Sequence, residues 1–293
     1  MVLVAVAAGL HYDKSTPPSN KISVVASFYP LYYFSEQIGG NKADVVNITP
    51  SGAEPHDYEP TGTDMVKIAN SRLLILNGGG LEAWGSNVQK NIDSKRTLVV
   101  TAGDGLANQT VTEDNQDIID PHVWLSPLLA KKMVDKIAQG FITVDPNNSL
   151  YYQTNADVLK TQLDKLDADY QMGLQNCLQK DIVTSHAAFG YLATAYGLNQ
   201  VSIAGLSPDA EPSPKQLADI AIFAKNKKID YIFFESLVSP KLSQTIAQEI
   251  GAKTMVLNPI EGMTVDDLNQ GKNYFTEMEK NLTNLKIALQ CQI

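Results

Sequence analysis

The sequence predicts an α/β protein with two lobes, each a parallel sheet flanked by helices, joined by one long rigid helix. Short β-branched runs alternate with amphipathic segments in both halves of the chain, and each parallel strand pair needs a helix to return the chain. An uninterrupted helical pattern over 146–178 separates the halves. With 293 residues, 44% of them hydrophobic, the chain can form two cores. We therefore expect an N-terminal lobe over 22–145, a connecting helix over 146–179 and a C-terminal lobe over 180–293.

In the first lobe, strand-like and helix-like segments alternate four times. Proline at a first helical turn indicates a helix at Pro30, and Ser126 followed by Pro127 predicts a capped helix that runs to about Phe141. Strands are predicted at 22–28, 44–48, 73–77 and 97–101, and helices at 30–38, 63–69, 81–90 and 127–141. This alternation predicts one parallel sheet with helices on both faces.

The second lobe follows the longest helical pattern in the chain. A helix of about thirty residues extends about 45 Å, which exceeds the width of a small domain and indicates a rigid connector. The alternation then restarts. Strands are predicted at 181–185, 200–204, 230–235 and 253–257, and helices at 188–196, 215–225, 240–250 and, as a long C-terminal helix, from about Val265.

The first residues differ in composition from the rest. Residues 1–10 are almost entirely apolar, and 11–21 are polar with two prolines. We interpret 1–21 as the remnant of an export signal or a short membrane anchor plus a linker, too short to span a bilayer. The protein is therefore expected to be exported, to the periplasm or the outer face of the cytoplasmic membrane. His11 falls in this segment and is left out of any site.

Charge and cysteine content exclude several classes of protein. The net charge is -9, the pI is near 4.9, and the Lys and Arg residues form no cluster, which excludes a nucleic-acid partner. Cys177 and Cys291 are the only cysteines, which excludes a Cys-rich zinc finger. In an exported protein these two thiols can pair if their Cα atoms come within roughly 7 Å, but their spacing leaves two separate thiols equally open.

Three of the four histidines lie in loops that follow predicted strands. His56 lies between Pro55 and Pro60 in a stiff loop, because proline fixes φ and removes a backbone donor. His122 follows Pro121 and His186 directly follows a strand. Open parallel sheets bind ligands beyond the carboxyl ends of their strands. We therefore expect the three imidazoles to converge on one metal ion in the cleft between the lobes.

Other polar residues lie at the same edge. Asn258 follows the last predicted strand, and Asp120 and Glu235 are carboxylates close to two of the histidines or strand ends. A carboxylate that accepts from one imidazole nitrogen fixes the tautomer of a metal-binding histidine. Asp120 and Glu235 are predicted to act in this way.

Neutral imidazoles suit zinc and copper, whereas manganese favours mostly oxygen ligands, so three histidines predict a zinc site. Three histidines and a water also describe a catalytic zinc, and a zinc hydrolase with Glu235 or Glu54 as base is one alternative. A surface adhesin with a structural metal is another. The sequence has no His-Glu-x-x-His helix, and a two-lobed cleft favours reversible capture, so we expect a binding protein and not an enzyme.

The chain also resembles a known family. It is similar to the metal-binding solute-binding proteins of ABC importers, and within them to the zinc-uptake branch. The matching stretches, in the family's order, are Ser27-Phe28-Tyr29-Pro30, Gly52-Ala53-Glu54-Pro55-His56-Asp57-Tyr58-Glu59-Pro60, Asp120-Pro121-His122-Val123-Trp124-Leu125, Thr184-Ser185-His186-Ala187-Ala188-Phe189-Gly190-Tyr191, Glu211-Pro212-Ser213-Pro214 and Phe233-Phe234-Glu235.

The resemblance implies a function and a ligand set. His56, His122 and His186 are implied as ligands of a transported zinc ion, with Mn²⁺ less favoured because the manganese branch usually has a carboxylate at the position of His186. The family commonly has an aspartate ligand after the last strand, and Asn258 is expected to take that fourth ligand position in this chain. The implied partners are an ABC permease and its ATPase on other chains, with a monomer held at the membrane through its N-terminus or the permease.

Overall fold

Two four-stranded parallel sheets form the two lobes in this computed structural model, which describes residues 21–113 and 116–292. The predicted α/β class with two helix-flanked parallel sheets and a long helix is confirmed. The predicted export signal or anchor and His11 lie outside the described residues, apart from Lys21.

The first sheet is fully parallel and carries the chain toward two of the three candidate histidines. Its strands are β1 (Ile22–Ala26), β2 (Ala43–Asn47), β3 (Leu73–Leu76) and β4 (Leu98–Thr101), and its helices are α1 (Tyr29–Gly39), α2 (Gly62–Asn70), α3 (Gly85–Asn91) and α4 (Pro127–Val144). The strand order is β2-β1-β3-β4. Val24, Val25 and Ala26 of β1 are almost completely buried, because helices cover both faces of a parallel sheet.

Helix α5 (Ser149–Leu174) is the long helix that the sequence predicts. It has 26 residues, which corresponds to about 39 Å, and is shorter at both ends than the predicted 146–178. A 3-10 turn over Pro146–Asn148 replaces its expected first turn. The buried face carries Leu159, Leu163 and Tyr170, which belong to one apolar core that includes residues of both lobes. This shared core makes α5 a packed element and not a free-standing rod.

The second sheet repeats the arrangement of the first. Its strands are β7 (Asp181–Thr184), β8 (Asn199–Ser202), β9 (Tyr231–Phe234) and β10 (Lys253–Val256), and the helices that follow the first three are α6 (Gly190–Tyr196), α7 (Pro214–Asn226) and α8 (Lys241–Ile250). The strand order is β10-β9-β7-β8. Pairing between these strands is parallel throughout.

The prediction of one long C-terminal helix is wrong. The segment forms a short helix α9 (Val265–Asn269) and then α10 (Tyr274–Ala288). Gly271 has a φ of 75°, a left-handed conformation that ends a helix, and the side chain of Asn273 caps the new helix by accepting from Phe275 and Thr276.

A β-hairpin follows β4, in a segment where the sequence predicts no strand. It consists of β5 (Thr110–Glu113) and β6 (Gln116–Ile119), which pair antiparallel. The Glu113 Oε1 atom accepts a hydrogen bond from the Leu206 backbone at 2.5 Å. The hairpin is thus fastened to the second lobe.

Cys177 and Cys291 form a disulfide, which settles the alternative that their spacing leaves open. The bridge joins the segment after α5 to the segment after α10 and closes a loop with a sequence separation of 114. Among the residues that the structure describes, no helix combines the length and apolar character needed to cross a membrane.

Candidate metal centre

The first lobe supplies two histidines. His56 lies in the loop between β2 and α2, and its backbone N–H donates to Glu54 Oε1 at 3.3 Å. This loop contacts the second lobe, since Gly52 N donates to Met263 O at 3.0 Å. His122 follows the hairpin and is completely buried.

The second lobe supplies the third histidine. His186 follows β7 by two residues and is completely buried. The carboxylate of Glu235, at the end of β9, accepts from His186 Nδ1 at 2.5 Å and also from the Ser185 hydroxyl. In the first lobe, Asp120 Oδ1 accepts from His122 Nδ1 at 2.7 Å and from the His122 backbone N–H at 2.9 Å.

These carboxylates control which imidazole nitrogen has a free lone pair. A carboxylate at Nδ1 favours the tautomer with the proton on Nδ1, so the lone pair of a neutral ring lies on Nε2. The Nε2 atoms of His122 and His186 both point into the space between the lobes, 3.3 Å apart. Asp120 and Glu235 each lie on the side of an imidazole that faces away from the space between the lobes.

The three histidines converge, and Glu261 joins them. His56 Nε2 lies 3.2 Å from His122 Nε2. Glu261 Oε1 lies 3.3 Å from His56 Nε2, 3.0 Å from His122 Nε2 and 3.4 Å from His186 Nε2. One ligand atom from each of the four residues lies within 4.8 Å of the others, so the group could hold a metal ion.

The side chain of Asn258 does not belong to this cluster. Its Oδ1 accepts from the Ile260 backbone N–H at 2.8 Å, and its Nδ2 donates to Glu277 at 3.0 Å. The carboxylate in the cluster comes from Glu261, three residues further along the same loop, a residue that the sequence does not predict as a ligand. The signal in the sequence is weak: Glu261 lies five residues beyond the carboxyl end of β10, in a loop of the kind that holds the histidines.

The electrostatics of the cluster favour positive charge. Burial lowers the pKa of His122, but the Asp120 and Glu261 carboxylates outweigh it and raise the pKa above its ordinary value. Burial likewise opposes ionisation of His186, while Glu235 and Glu261 raise its pKa well above the ordinary value. Burial raises the pKa of Glu261, but the neighbouring imidazoles hold it well below the usual range. The cluster is thus suited to hold protons or a cation.

Comparison with known proteins agrees with this geometry. A family model described as the zinc-uptake complex component A, periplasmic, matches residues 24–288. The chain is 38% identical to the high-affinity zinc uptake system protein ZnuA of Bacillus subtilis, with 98% of this chain and 94% of that protein covered. It is 37% identical to the zinc-binding protein AdcA of Streptococcus pyogenes and covers 60% of its length.

Solved structures extend the likeness to the fold. The crystal structure of the Zn(II)-bound ZnuA-like domain of Streptococcus pneumoniae AdcA is 39% identical, with a TM-score of 0.80 over 92% of this chain and 99% of that one. The family match spans nearly the whole described chain in one piece. The chain therefore belongs to the family of periplasmic zinc-uptake components of the ZnuA type.

Proposed function

We propose that the protein captures a zinc ion in the cleft between its lobes and delivers it to the permease of an ABC importer. The proposed ligands are His56 Nε2, His122 Nε2, His186 Nε2 and one oxygen of Glu261. Glu261 replaces Asn258 as the proposed fourth ligand, because both polar atoms of the Asn258 side chain have other partners.

The spacing of the ligand atoms is the observation that carries the proposal. Zinc bonds of about 2.0 to 2.1 Å in a tetrahedron put neighbouring ligand atoms about 3.3 Å apart. Five of the six edges among the four ligand atoms measure 3.2, 3.3, 3.3, 3.0 and 3.4 Å. The arrangement thus matches the size of a tetrahedral zinc site before any side chain moves.

The ligand types support zinc over manganese. Three imidazole nitrogens and one carboxylate oxygen suit a borderline ion such as zinc, whereas manganese favours a shell made mostly of oxygen. Capture of Mn²⁺ or another divalent ion is the second candidate within the same class of transporter, and Glu261 is the group that gives it some support.

We propose capture and not hydrolysis. A catalytic zinc keeps one coordination position open for water, but here Glu261 occupies the fourth position and is 1% exposed. Glu235 already accepts from His186 and Ser185. Burial, followed by the charge of Glu261, raises the pKa of Glu54 to about 9 in the metal-free protein, which favours the protonated carboxyl group over a general base.

Membership of the family supports a proposal about where the protein acts and with which partners. The protein acts as an exported monomer, held at the membrane through its N-terminus or the permease, and the ATPase is on another chain. Residues 22–145 and 180–293 are proposed as the two lobes and 146–179 as the connecting segment.

Metal analysis of the protein purified without chelator tests the function. We expect about one zinc per chain and no esterase or peptidase turnover, because four protein ligands complete a tetrahedral shell. The chain provides a matched control: His11→Ala removes the histidine outside the proposed site and should leave the zinc content unchanged. Stoichiometric manganese in place of zinc, or full zinc content in a His122→Ala variant, would contradict the proposal.

A further inference from the structure

We propose that Asn258 is a positioning residue, which holds the backbone of Ile260 in a left-handed conformation and thereby places the Glu261 carboxylate among the three imidazoles. The inference rests on the proposed function, because it concerns how the fourth ligand reaches the metal. It gives the asparagine after β10 a role that does not require it to touch the ion.

The conformation of Ile260 is the first observation. Its φ is 60°, a left-handed value that a β-branched residue seldom adopts, and its side chain is completely buried. The other described non-glycine residues with positive φ, Lys228 and Gln290, each lie two residues beyond a helix, where left-handed backbone is a common ending. Ile260, by contrast, lies in the loop after β10 and does not follow a helix. Such a strained residue persists only where its surroundings hold it, and it marks functional sites more often than other positions.

The hydrogen bonds of Asn258 supply that hold. Its Oδ1 accepts from the Ile260 N–H at 2.8 Å, and its Nδ2 donates to Glu277 of α10 at 3.0 Å. Asn281 of the same helix accepts from the Asn258 N–H at 2.8 Å and donates to the Asn258 carbonyl at 2.6 Å. The side chain and the backbone of Asn258 are thus both fixed to α10. Through its Oδ1 atom, Asn258 in turn restrains the backbone of Ile260.

The third observation is how Glu261 itself is held. Its Oε1 contacts the imidazoles of the cluster, and its Oε2, although buried, has no hydrogen-bonding partner among the described residues. Apart from the three imidazoles, no group in the described part of the chain therefore holds the carboxylate by its oxygen atoms. Its position has to come from the backbone, and the backbone before it is the segment that Asn258 and Ile260 define.

A double-mutant cycle between Asn258 and Glu261 tests the proposal. Asn258→Ala removes the acceptor for Ile260 N–H and should weaken zinc binding about ten- to a hundredfold, as is usual when a group that orients a ligand is lost. In a Glu261→Ala background, Asn258→Ala should change zinc affinity by less than about twofold, because the ligand that it positions is already absent. Zinc itself is the ligand used, titrated against a competing chelator.

A matched control separates positioning from general destabilisation. Asn284 lies on α10, is 6% exposed, and donates to the carbonyl of Val256, the last residue of β10, at 2.8 Å. Among the described residues it has no hydrogen bond to 258–261. Asn284→Ala should lower the melting temperature as Asn258→Ala does but leave zinc affinity unchanged. In addition, Ile260→Gly should restore part of the affinity of Asn258→Ala, since glycine adopts the left-handed conformation without strain.

The outcomes separate the positioning role from the proposed function. Full zinc affinity in Asn258→Ala, or an equal loss with and without Glu261, overturns the positioning role; the second result is also what a direct ligand would give. Full affinity in Glu261→Ala overturns both the fourth ligand and its positioning, but leaves the three histidines. Only full affinity in His122→Ala contradicts the site as a whole.

Discussion

The two buried histidines differ from His56 in how each ring is held. His122 and His186 are completely buried, and each has a carboxylate on Nδ1, from Asp120 and Glu235. The His56 side chain is 10% exposed, and among the described residues no group hydrogen-bonds to its Nδ1. Two imidazoles, one from each lobe, are therefore held in orientation by carboxylates before an ion arrives, whereas the ring of the third, although its loop is stiff, has no such hydrogen bond and can adjust.

The exposure of the four side chains also indicates how an ion reaches the site. The Glu261 carboxylate, like His122 and His186, is almost completely out of contact with solvent. The side of the cluster that solvent can reach is therefore the side of His56. An ion arriving from solvent would meet the adjustable ring first and the fixed pair afterwards.

The largest expected effect is on zinc affinity in histidine variants. His122→Ala and His186→Ala should each weaken zinc binding more than about a hundredfold, because each removes a fixed ligand and leaves a buried carboxylate without its imidazole. His56→Ala should weaken it more than about tenfold but less than the other two. Competition calorimetry in one buffer measures all three. If His56→Ala costs as much as His122→Ala, the distinction between fixed and adjustable rings is wrong.

The next effect in size concerns pH, and it acts through the buried pair. Burial lowers the pKa values of His122 and His186, but the neighbouring carboxylates outweigh this effect. Both pKa values therefore lie above the ordinary 6.5 in the metal-free protein. Zinc needs unprotonated Nε2 atoms, so protons should compete with zinc already above pH 6.5. Apparent zinc affinity should fall by up to about tenfold per pH unit for each proton displaced.

Rising pH should have opposite effects on the stability of the metal-free protein and on the stabilisation that zinc adds. In the metal-free protein, a raised histidine pKa contributes stability that is fully present below the unfolded value and is lost as pH rises through the folded value. Zinc binding requires the unprotonated rings. The rise in melting temperature on adding zinc should therefore grow between about pH 6 and pH 8. An affinity that stays constant from pH 8 to pH 6.5 would contradict the raised pKa values.

The sequence predicted the three histidines better than the fourth group. His56, His122 and His186 are scarce residues in a chain with four histidines, and each lies in a loop beyond a strand, so the topology of open parallel sheets predicts that they meet. Glu261 is one of many acidic residues. Its place depends on a left-handed Ile260 and on α10, which begins thirteen residues later, and local sequence patterns contain neither feature.

The fold likewise divides into elements that local sequence patterns predict and elements that depend on distant contacts. Alternating β-branched and amphipathic segments predicted the eight parallel strands to within a few residues, because each strand is decided by its own burial pattern. The β5–β6 hairpin escaped prediction since its four-residue strands are largely exposed and are held by contacts with the second lobe, such as that of Glu113. The break between α9 and α10 depends on Gly271, a single residue between two segments that each have a helical pattern.

The smallest expected effect on zinc binding is that of removing the disulfide. This change tests whether local contacts alone hold the buried imidazoles in orientation. Replacing Cys177 and Cys291 by alanine opens a loop with a sequence separation of 114. The free energy of unfolding should fall by about 2 to 5 kcal/mol, because the unfolded chain regains the freedom that the bridge removes.

Zinc affinity in the same variant should stay within about twofold of the parent, since independent sites are nearly additive. Helix α10 is held against the core by Tyr274, Met278 and Leu285, all completely buried, so Glu277 and Asn281 should keep their places without the bridge. Urea unfolding gives the stability, and chelator competition gives the affinity of the folded protein. A tenfold loss of affinity would mean that the orientation of the buried imidazoles depends on the covalent closure of the whole lobe. An unchanged affinity in a less stable protein would assign the difference between His56 and the buried pair to the groups that touch each ring.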